Sequence, residues 1–397
     1  MTSDRRWFRV NRKIKRLIKY LSACVLRIIS RVLYIFPIKN NRVLFTAYDG
    51  QHVCCNPKAI FEYMIQNYPG RFEYIWTLND DKELQEYQHE NVTAVRMRSL
   101  KFYYMKATSK VCVCNAGSFP ELPLRKSQFQ INTHHGGGAY KTAGAAIKGA
   151  NSKTNLKKLQ WDAENTSIYL SSSRYFTEEV VRKQKCFAGE VYEYGMPRND
   201  VIIKNQEQLF REKVYKHYGL SSDCRVVLYA PTYRDAGNTY EPIDIDAVIV
   251  ALKEQFGGNW VCLMRMHYLG STKEEKSSVI SATDYPDMQE LLAASDVLIS
   301  DYSSSIWDFS FTGRPCLLYT PDVDLYVEKR GLDTPINTWG FPVCKTNTSL
   351  CNQILHWDGN AYKKKMAEHH NRLGSCETGK ATEMISKRIY KECFKES

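Results

Sequence analysis

The stretch from Asp296 to Asp322, DVLISDYSSSIWDFSFTGRPCLLYTPD, constrains the fold more than any other part of the chain. An apolar run, DVLIS, breaks into an acidic, hydroxyl-rich turn, DYSSS, and a second apolar run, PCLLYT, follows a short connector. That order reads as strand, turn, helix, strand, the crossover unit of a parallel sheet. The turn then lies at the carboxyl end of its strand, where open α/β sheets bind ligands. Ser303, Ser304 and Ser305 enter the helix and offer backbone N–H groups and hydroxyls to an anion, for which a diphosphate is the natural guest.

The same alternation runs through most of the chain. RVLFTAY, FEYIWTL, KVCVCNA, FQINTHH and IYLSS read as strands, with helical spacing from Pro57 to Tyr68, Leu100 to Thr108 and Thr177 to Gln184. A charged helix from Glu207 to Tyr218 makes a connector, and the pattern restarts with RVVLYAPTYRD, a helix near Asp244 to Phe256, NWVCLMRMHY, SVISATD, DVLIS and PCLLYT. The fold class is therefore α/β, with two doubly wound Rossmann-type domains facing a cleft in the GT-B manner. The expected divisions are residues 1–40, 41–205, 206–375 and a C-terminal helix over 376–397. Thirteen cysteines are scattered through apolar segments without metal-ligand spacing, which suits a reducing compartment.

Charge is unevenly placed. The net charge is +12, and no acidic residue occurs between Arg5 and Ile38. Ile14, Leu17, Ile18, Leu21, Val25, Ile28, Ile29, Val32 and Leu33 recur at helical spacing, with Lys and Arg on the other face. Such a basic amphipathic helix lies in an anionic membrane interface, and uncharged runs such as Tyr20 to Leu26 are too short to span a bilayer. The competing reading docks the helix on the protein's own core. Nucleic-acid binding is disfavoured, because the basic residues gather on one amphipathic helix without aromatic stacking motifs.

Five polar clusters fall at expected strand ends. INTHHGGGAYK presents His134 and His135 and then Gly136, Gly137 and Gly138, where the backbone can approach a ligand closely. His135 is a candidate general base, and Lys141 either meets phosphate or is simply solvated. GMPRND presents Arg198, either as a phosphate fork or paired with Asp200 in a capping turn. APTYRD offers Thr232 and Arg234, and RMHY offers Arg265, Met266 and His267. The DYSSS turn adds Ser303, Ser304 and Ser305, with Asp308 about one turn into its helix, either accepting from a hydroxyl or capping internally. No P-loop, GxGxxG, zinc or GxSxG pattern occurs.

Taken in order, the His-Gly turn followed by lysine, Gly-Met-Pro-Arg-Asn-Asp, Ala-Pro-Thr-x-Arg, a strand-end histidine, Asp-Tyr-Ser-Ser with a later Asp, and Arg330-Gly331 resemble the CDP-glycerol glycerophosphotransferase family of teichoic-acid synthesis. The resemblance covers roughly residues 42 to 375. It departs at His134, where the family has tryptophan, and in a loop one residue longer. It implies transfer of a polyol phosphate from CDP-glycerol or CDP-ribitol to a lipid-linked glycan or polyol-phosphate acceptor at the cytoplasmic face of the membrane, with CMP leaving. His135 would be the base. His267 and Arg198 would stabilise the diphosphate, Thr232 and Ser303 to Ser305 would donate to it, and Asp308 would anchor the nucleotide. Neither a metal nor another cofactor is expected. The rival readings are a GT-B glycosyltransferase using a nucleotide sugar and a binding module without activity.

Overall fold

The computed structural model describes residues 2–80, 82–87, 91–147, 152–232, 240–266 and 278–394; the side chains of 2–13, 15, 16 and 86 are not described. Among these residues the chain forms two all-parallel sheets. The first contains β1 (Lys39–Thr46), β2 (Glu73–Thr77), β3 (Val92–Val95), β4 (Ser109–Cys114), β5 (Phe129–Asn132), β6 (Ile168–Leu170) and β7 (Glu190–Tyr192), in the order β3-β2-β1-β4-β5-β6-β7. The second contains β8 (Cys224–Tyr229), β9 (Asn259–Met264), β10 (Val279–Ser281), β11 (Val297–Ser300), β12 (Cys316–Tyr319) and β13 (Val343–Cys344), in the order β10-β9-β8-β11-β12-β13. Each sheet therefore reverses direction between its first and fourth strands. That reversal opens a crevice at the carboxyl ends of the strands.

Burial on both faces explains the near-continuous apolar strands. In the second sheet Val226, Leu228, Leu298 and Leu318 pack into one core, while Val227, Ile299, Leu317 and Tyr319 pack into the core on the opposite face. The first sheet divides likewise: Val43, Phe45, Val111 and Ile131 lie on one side, and Leu44, Ile75 and Cys112 on the other. All thirteen cysteines are unpaired, and Cys112 and Cys114 are buried in strand β4 as expected.

Three features depart from the sequence pattern. A helix over Lys153–Asn165, capped by Ser152 Oγ accepting from Asn155 N, fills the crossover between β5 and β6. The segment Phe176–Gln184 is wound as a π-helix, a form often found at functional sites. The last helix, Ala381–Cys393, crosses back to the first sheet, where Ile385, Ile389 and Cys393 join its core. Asp200 starts that helix by accepting from Ala381 N at 3.2 Å and Thr382 N at 2.8 Å. Asp200 is thus a helix cap, not the partner of Arg198.

The N-terminal helix runs over Thr2–Ile29 and continues as a 3-10 turn over Ser30–Ile35. It docks by its other face: Tyr20 stacks on Trp161 at 5.5 Å, Arg27 lies over the same ring, and Tyr34 donates to Pro123 O at 2.7 Å. The apolar stripe of Ile14, Leu17, Ile18, Leu21, Val25, Ile28, Ile29 and Val32 points outward, each residue 48–67% exposed. The competing reading, with the apolar face docked on the protein's own core, is therefore not met. No helix among the described residues is long and apolar enough to cross a membrane.

Candidate functional site

The strand ends of the two sheets meet around one cavity of about 450 Å³. Its walls include His134, His135, Gly136, Gly137 and Lys141 from the loop after β5, and Lys185 from the end of the π-helix. The second sheet contributes Thr232, Ser304, Tyr326, Arg330 and Gly331. Among the described residues no Asp or Glu lines it, whereas three cationic side chains do. A low-dielectric cavity with cations and no carboxylates is suited to an anion such as phosphate.

The histidine loop is shaped by close contacts with the other half. Gly137 lies against the Trp307 indole, and a Cβ added there would stand 2.2 Å from the ring. Gly136 faces Ser304, at 3.4 Å from a Cβ built on it. Beyond the glycines, Tyr140 is buried in the core of the second sheet, with its hydroxyl 2.9 Å from His369 Nε2 and its ring 4.4 Å from Trp339. Thr142 donates to Arg330 O, and Lys141 bridges to Leu332, so the loop seats Lys141 beside Arg330 and Gly331.

The two histidines have different hydrogen-bond states. His135 Nδ1 is 2.8 Å from the Asn115 carbonyl, which only accepts, so Nδ1 carries the proton and Nε2 keeps a lone pair. His135 remains open to solvent although the cavity walls crowd it. That crowding, reinforced by the charges of Arg198, Lys185 and Lys141, moves its pKa below the ordinary imidazole value, against the pull of the Asn115 bond. His134 Nδ1 instead accepts from Gly136 N at 3.0 Å, and its ring stacks on His135 with centroids 4.9 Å apart. Burial and His135 lower its pKa, so both rings are neutral at neutral pH.

Not all of the expected residues face this cavity. Arg198 and Asp308 form a buried bidentate pair, Nε to Oδ2 at 2.9 Å and Nη2 to Oδ1 at 3.1 Å. Burial opposes both charges, but Asp308 outweighs it and holds the guanidinium firmly protonated. Asn199 also donates to Asp308, Gln289 donates to Asn199, and Asn56 accepts from Arg198 N while donating to the His134 carbonyl. The Gly-Met-Pro turn is thus a knot joining the two halves and the histidine loop, with its arginine satisfied inside it.

Thr232 lines the cavity, but its N–H and hydroxyl donate to Asp301, at 2.9 and 2.6 Å, closing the turn after β8 onto the turn after β11. Ser304 faces the cavity, whereas Ser305 donates to Ser303 at 2.9 Å. Gly138 lies beneath the loop, where a Cβ would meet Tyr140. Arg265 donates to the carbonyls of Ala282 and Tyr285, and Met266 packs against the core of the second sheet. His267 and Arg234 lie outside the described residues.

Other residues have no signal in the sequence. Glu377, in the connection to the last helix, accepts from Trp307 Nε1, Asn199 Nδ2 and Met196 N, each at 3.0 Å. Burial pushes its pKa up to about 8 against those three bonds, with the Asp308 charge adding to the rise. It fixes the indole on which Gly137 rests. Lys185 follows a basic run that reads as a solvated helix end, and only the tertiary fold turns it into the cavity.

A family model described as CDP-Glycerol:Poly(glycerophosphate) glycerophosphotransferase matches residues 28–391. A teichoic acid poly(glycerol phosphate) polymerase of Bacillus spizizenii is 31% identical over 330 residues, covering 79% of this chain and 83% of that one. A teichoic acid glycerol-phosphate transferase of Staphylococcus aureus is 26% identical over 397 residues, covering 96% and 100%. The chain spans only 49% of the Bacillus subtilis polymerase, to which it is 27% identical. Among solved structures, the wall teichoic acid polymerase TagF superposes with a TM-score of 0.79 at 26% identity, covering 96% of this chain and 98% of that one.

Removing one partner of a buried pair leaves the other charge uncompensated. Asp308→Ala is expected to lower stability by about 3–5 kcal/mol, measured by denaturant unfolding; a loss under about 1 kcal/mol, the level of a surface pair, would show that the junction does not depend on it.

Proposed function

The chain belongs to the CDP-glycerol:poly(glycerophosphate) glycerophosphotransferase family, and from that premise we propose that it transfers glycerol phosphate from CDP-glycerol to a hydroxyl of a lipid-linked glycan or polyol-phosphate acceptor. The observation that carries the reading is a neutral histidine, His135, with its Nε2 lone pair available in a cation-lined cavity between the two halves. The higher identity to a glycerol-phosphate polymerase, 31%, than to ribitol-phosphate enzymes, 24%, favours glycerol over ribitol.

The reaction is a displacement at phosphorus. His135 Nε2 takes the proton of the acceptor hydroxyl, and the freed oxygen bonds to the β-phosphorus, the one bearing glycerol. The bond from that phosphorus to the bridging oxygen breaks, and CMP leaves with the electron pair. The charge that builds on the phosphoryl oxygens is met by Lys141 and Arg330, beside Ser304 and the glycine backbone. Fixed cations held by the fold stabilise such charge without reorganising. In this reading residues 41–205 supply the base and residues 206–375 the donor site, in a GT-B-like arrangement, with the C-terminal helix strapping the two together.

The outward apolar stripe of residues 14–32, flanked by Lys and Arg, supports seating at the cytoplasmic face of an anionic membrane. There the lipid-linked acceptor is confined to the same surface. Leu17→Asp with Leu21→Asp is expected to abolish co-sedimentation with vesicles containing phosphatidylglycerol while leaving turnover of a water-soluble acceptor intact; undiminished vesicle binding would remove the membrane role from this helix.

Purified protein given CDP-glycerol and a glycerol-phosphate acceptor is expected to release CMP, with CDP-ribitol slower and UDP-sugars inert. His135→Ala should lower kcat by about 10²–10⁴-fold with the Kd for CDP-glycerol nearly unchanged, and near-normal turnover in that variant would rule His135 out as the base. Because the pKa of His135 lies below 6.5, the base stays neutral as pH falls through 6.5, and activity is lost only when the ring protonates. The acid limb of the kcat/KM profile is therefore expected below pH 6.5; a limb at or above that value would contradict the assignment.

A further inference from the structure

Lys185 stands apart among the cations of the cavity. It caps the C-terminal end of the π-helix, with its N–H on Val180 O at 2.8 Å, and its stem passes Gly144 on the way into the cavity. Among the described residues its ammonium makes neither a hydrogen bond nor an ion pair, although the side chain is largely enclosed. A lysine taken out of water without a partner is costly, and such groups are retained where a ligand completes them. Burial accordingly moves its pKa down, with only the distant Asp162 carboxylate opposing. Asp162 itself is occupied by Ser118, whose N–H and hydroxyl both reach it at 2.6 Å.

The position of Lys185 says which anion it meets. It lines the cavity from the first half of the chain, as do His134, His135, Phe176, Val180, Ala143 and Ile147, and its charge acts on both histidines. Thr232, Ser304, Tyr326 and Arg330 line the cavity from the second half. The molecule whose hydroxyl reaches His135 therefore lies along the Lys185 side. Its carbon skeleton runs over apolar side chains, and its next polar group falls near an unpaired ammonium. A neutral sugar ring is ordinarily held by carboxylates and amides, and among the described residues none lines the cavity. A polyol with a phosphate a few bonds from its free hydroxyl matches every feature.

Resting on the proposed transfer reaction, we propose that Lys185 binds the phosphate of the acceptor's terminal unit, so that the enzyme selects a hydroxyl already flanked by a phosphate. The site then has two anion seats: one for the donor, beside Lys141 and Arg330, and one for the acceptor, at Lys185. The enzyme so built extends an end that carries its own product chemistry. The reaction supplying its acceptor must already have placed a phosphorylated polyol there.

The test measures binding apart from turnover. Glycerol 3-phosphate and CDP-glycerol are titrated separately into the full chain, the Lys185→Gln variant and the Lys185→Arg variant by calorimetry, and folding is checked by thermal unfolding. Loss of one charge-assisted contact should weaken glycerol 3-phosphate about tenfold or more in Lys185→Gln, with most of the affinity kept in Lys185→Arg. The Kd for CDP-glycerol should change by no more than about twofold. In turnover, the KM for a glycerol-phosphate-terminated acceptor should rise in Lys185→Gln while kcat is largely kept. Equal weakening of both ligands would make Lys185 a donor contact, and unchanged affinity for glycerol 3-phosphate would remove it from the site; either overturns the proposal. Failure of the intact protein to bind CDP-glycerol would instead overturn the transfer reaction, and leaves the glycerol 3-phosphate result readable on its own.

Discussion

The buried pair of Arg198 and Asp308 is the constraint on which the rest of the site depends. It joins the turn after β7 to the helix after β11, so it fixes how the strand ends of one sheet face those of the other. Two ions out of water are stable only when geometry and further bonds satisfy both. Here Asn199, Asn56 and Gln289 complete the network, and Asn56 carries it to the backbone of the histidine loop. Glu377 adds the last strut by holding Trp307 behind Gly137. A shift of either half therefore moves His135 relative to Ser304, so this joint fixes the geometry of the cavity between the two sheets.

The electrostatics follow from the same layout. The charges of the junction are neutralised among themselves: Lys58 meets Asp287 at 2.9 Å and Glu290 at 2.6 Å, and Arg198 meets Asp308. Carboxylates are thereby used up in the joint, while the neighbouring cavity keeps its cations. That separation gives a field aimed at an anionic substrate and keeps the histidines neutral. The crowding walls and the nearby cations keep the imidazole neutral with a lone pair on it, whereas carboxylates in place of the cations would repel an anionic ligand.

Much of the fold was legible because the signals are local. The strands, and the turns that end them, are announced by short apolar runs followed by Gly, Pro, Ser or Asp, since a parallel strand buried on both faces needs nothing else. That His135, Gly136, Gly137, Lys141 and Ser304 would come together around one cavity was legible for the same reason: each follows the carboxyl end of a strand, and strand ends converge in this class of sheet. The amphipathic period likewise announced the first helix and left open whether its apolar stripe faces outward or the protein's own core; the fold leaves it outward.

The sequence by itself determined two parallel sheets, the polar turns that line their crevice and a basic amphipathic helix at one end, because each depends on periodicity and turn chemistry within a few residues. The tertiary structure alone decided which polar groups are spent and which are offered. Arg198 reads as a phosphate fork until Asp308, 110 residues away, is seen to occupy it, and Thr232 reads as a donor until Asp301 is found on its hydroxyl. Lys185 follows a basic run in the sequence, and only the fold turns it into the cavity. A side chain's partner is set by the docking of elements distant in the chain, and no local pattern carries that information.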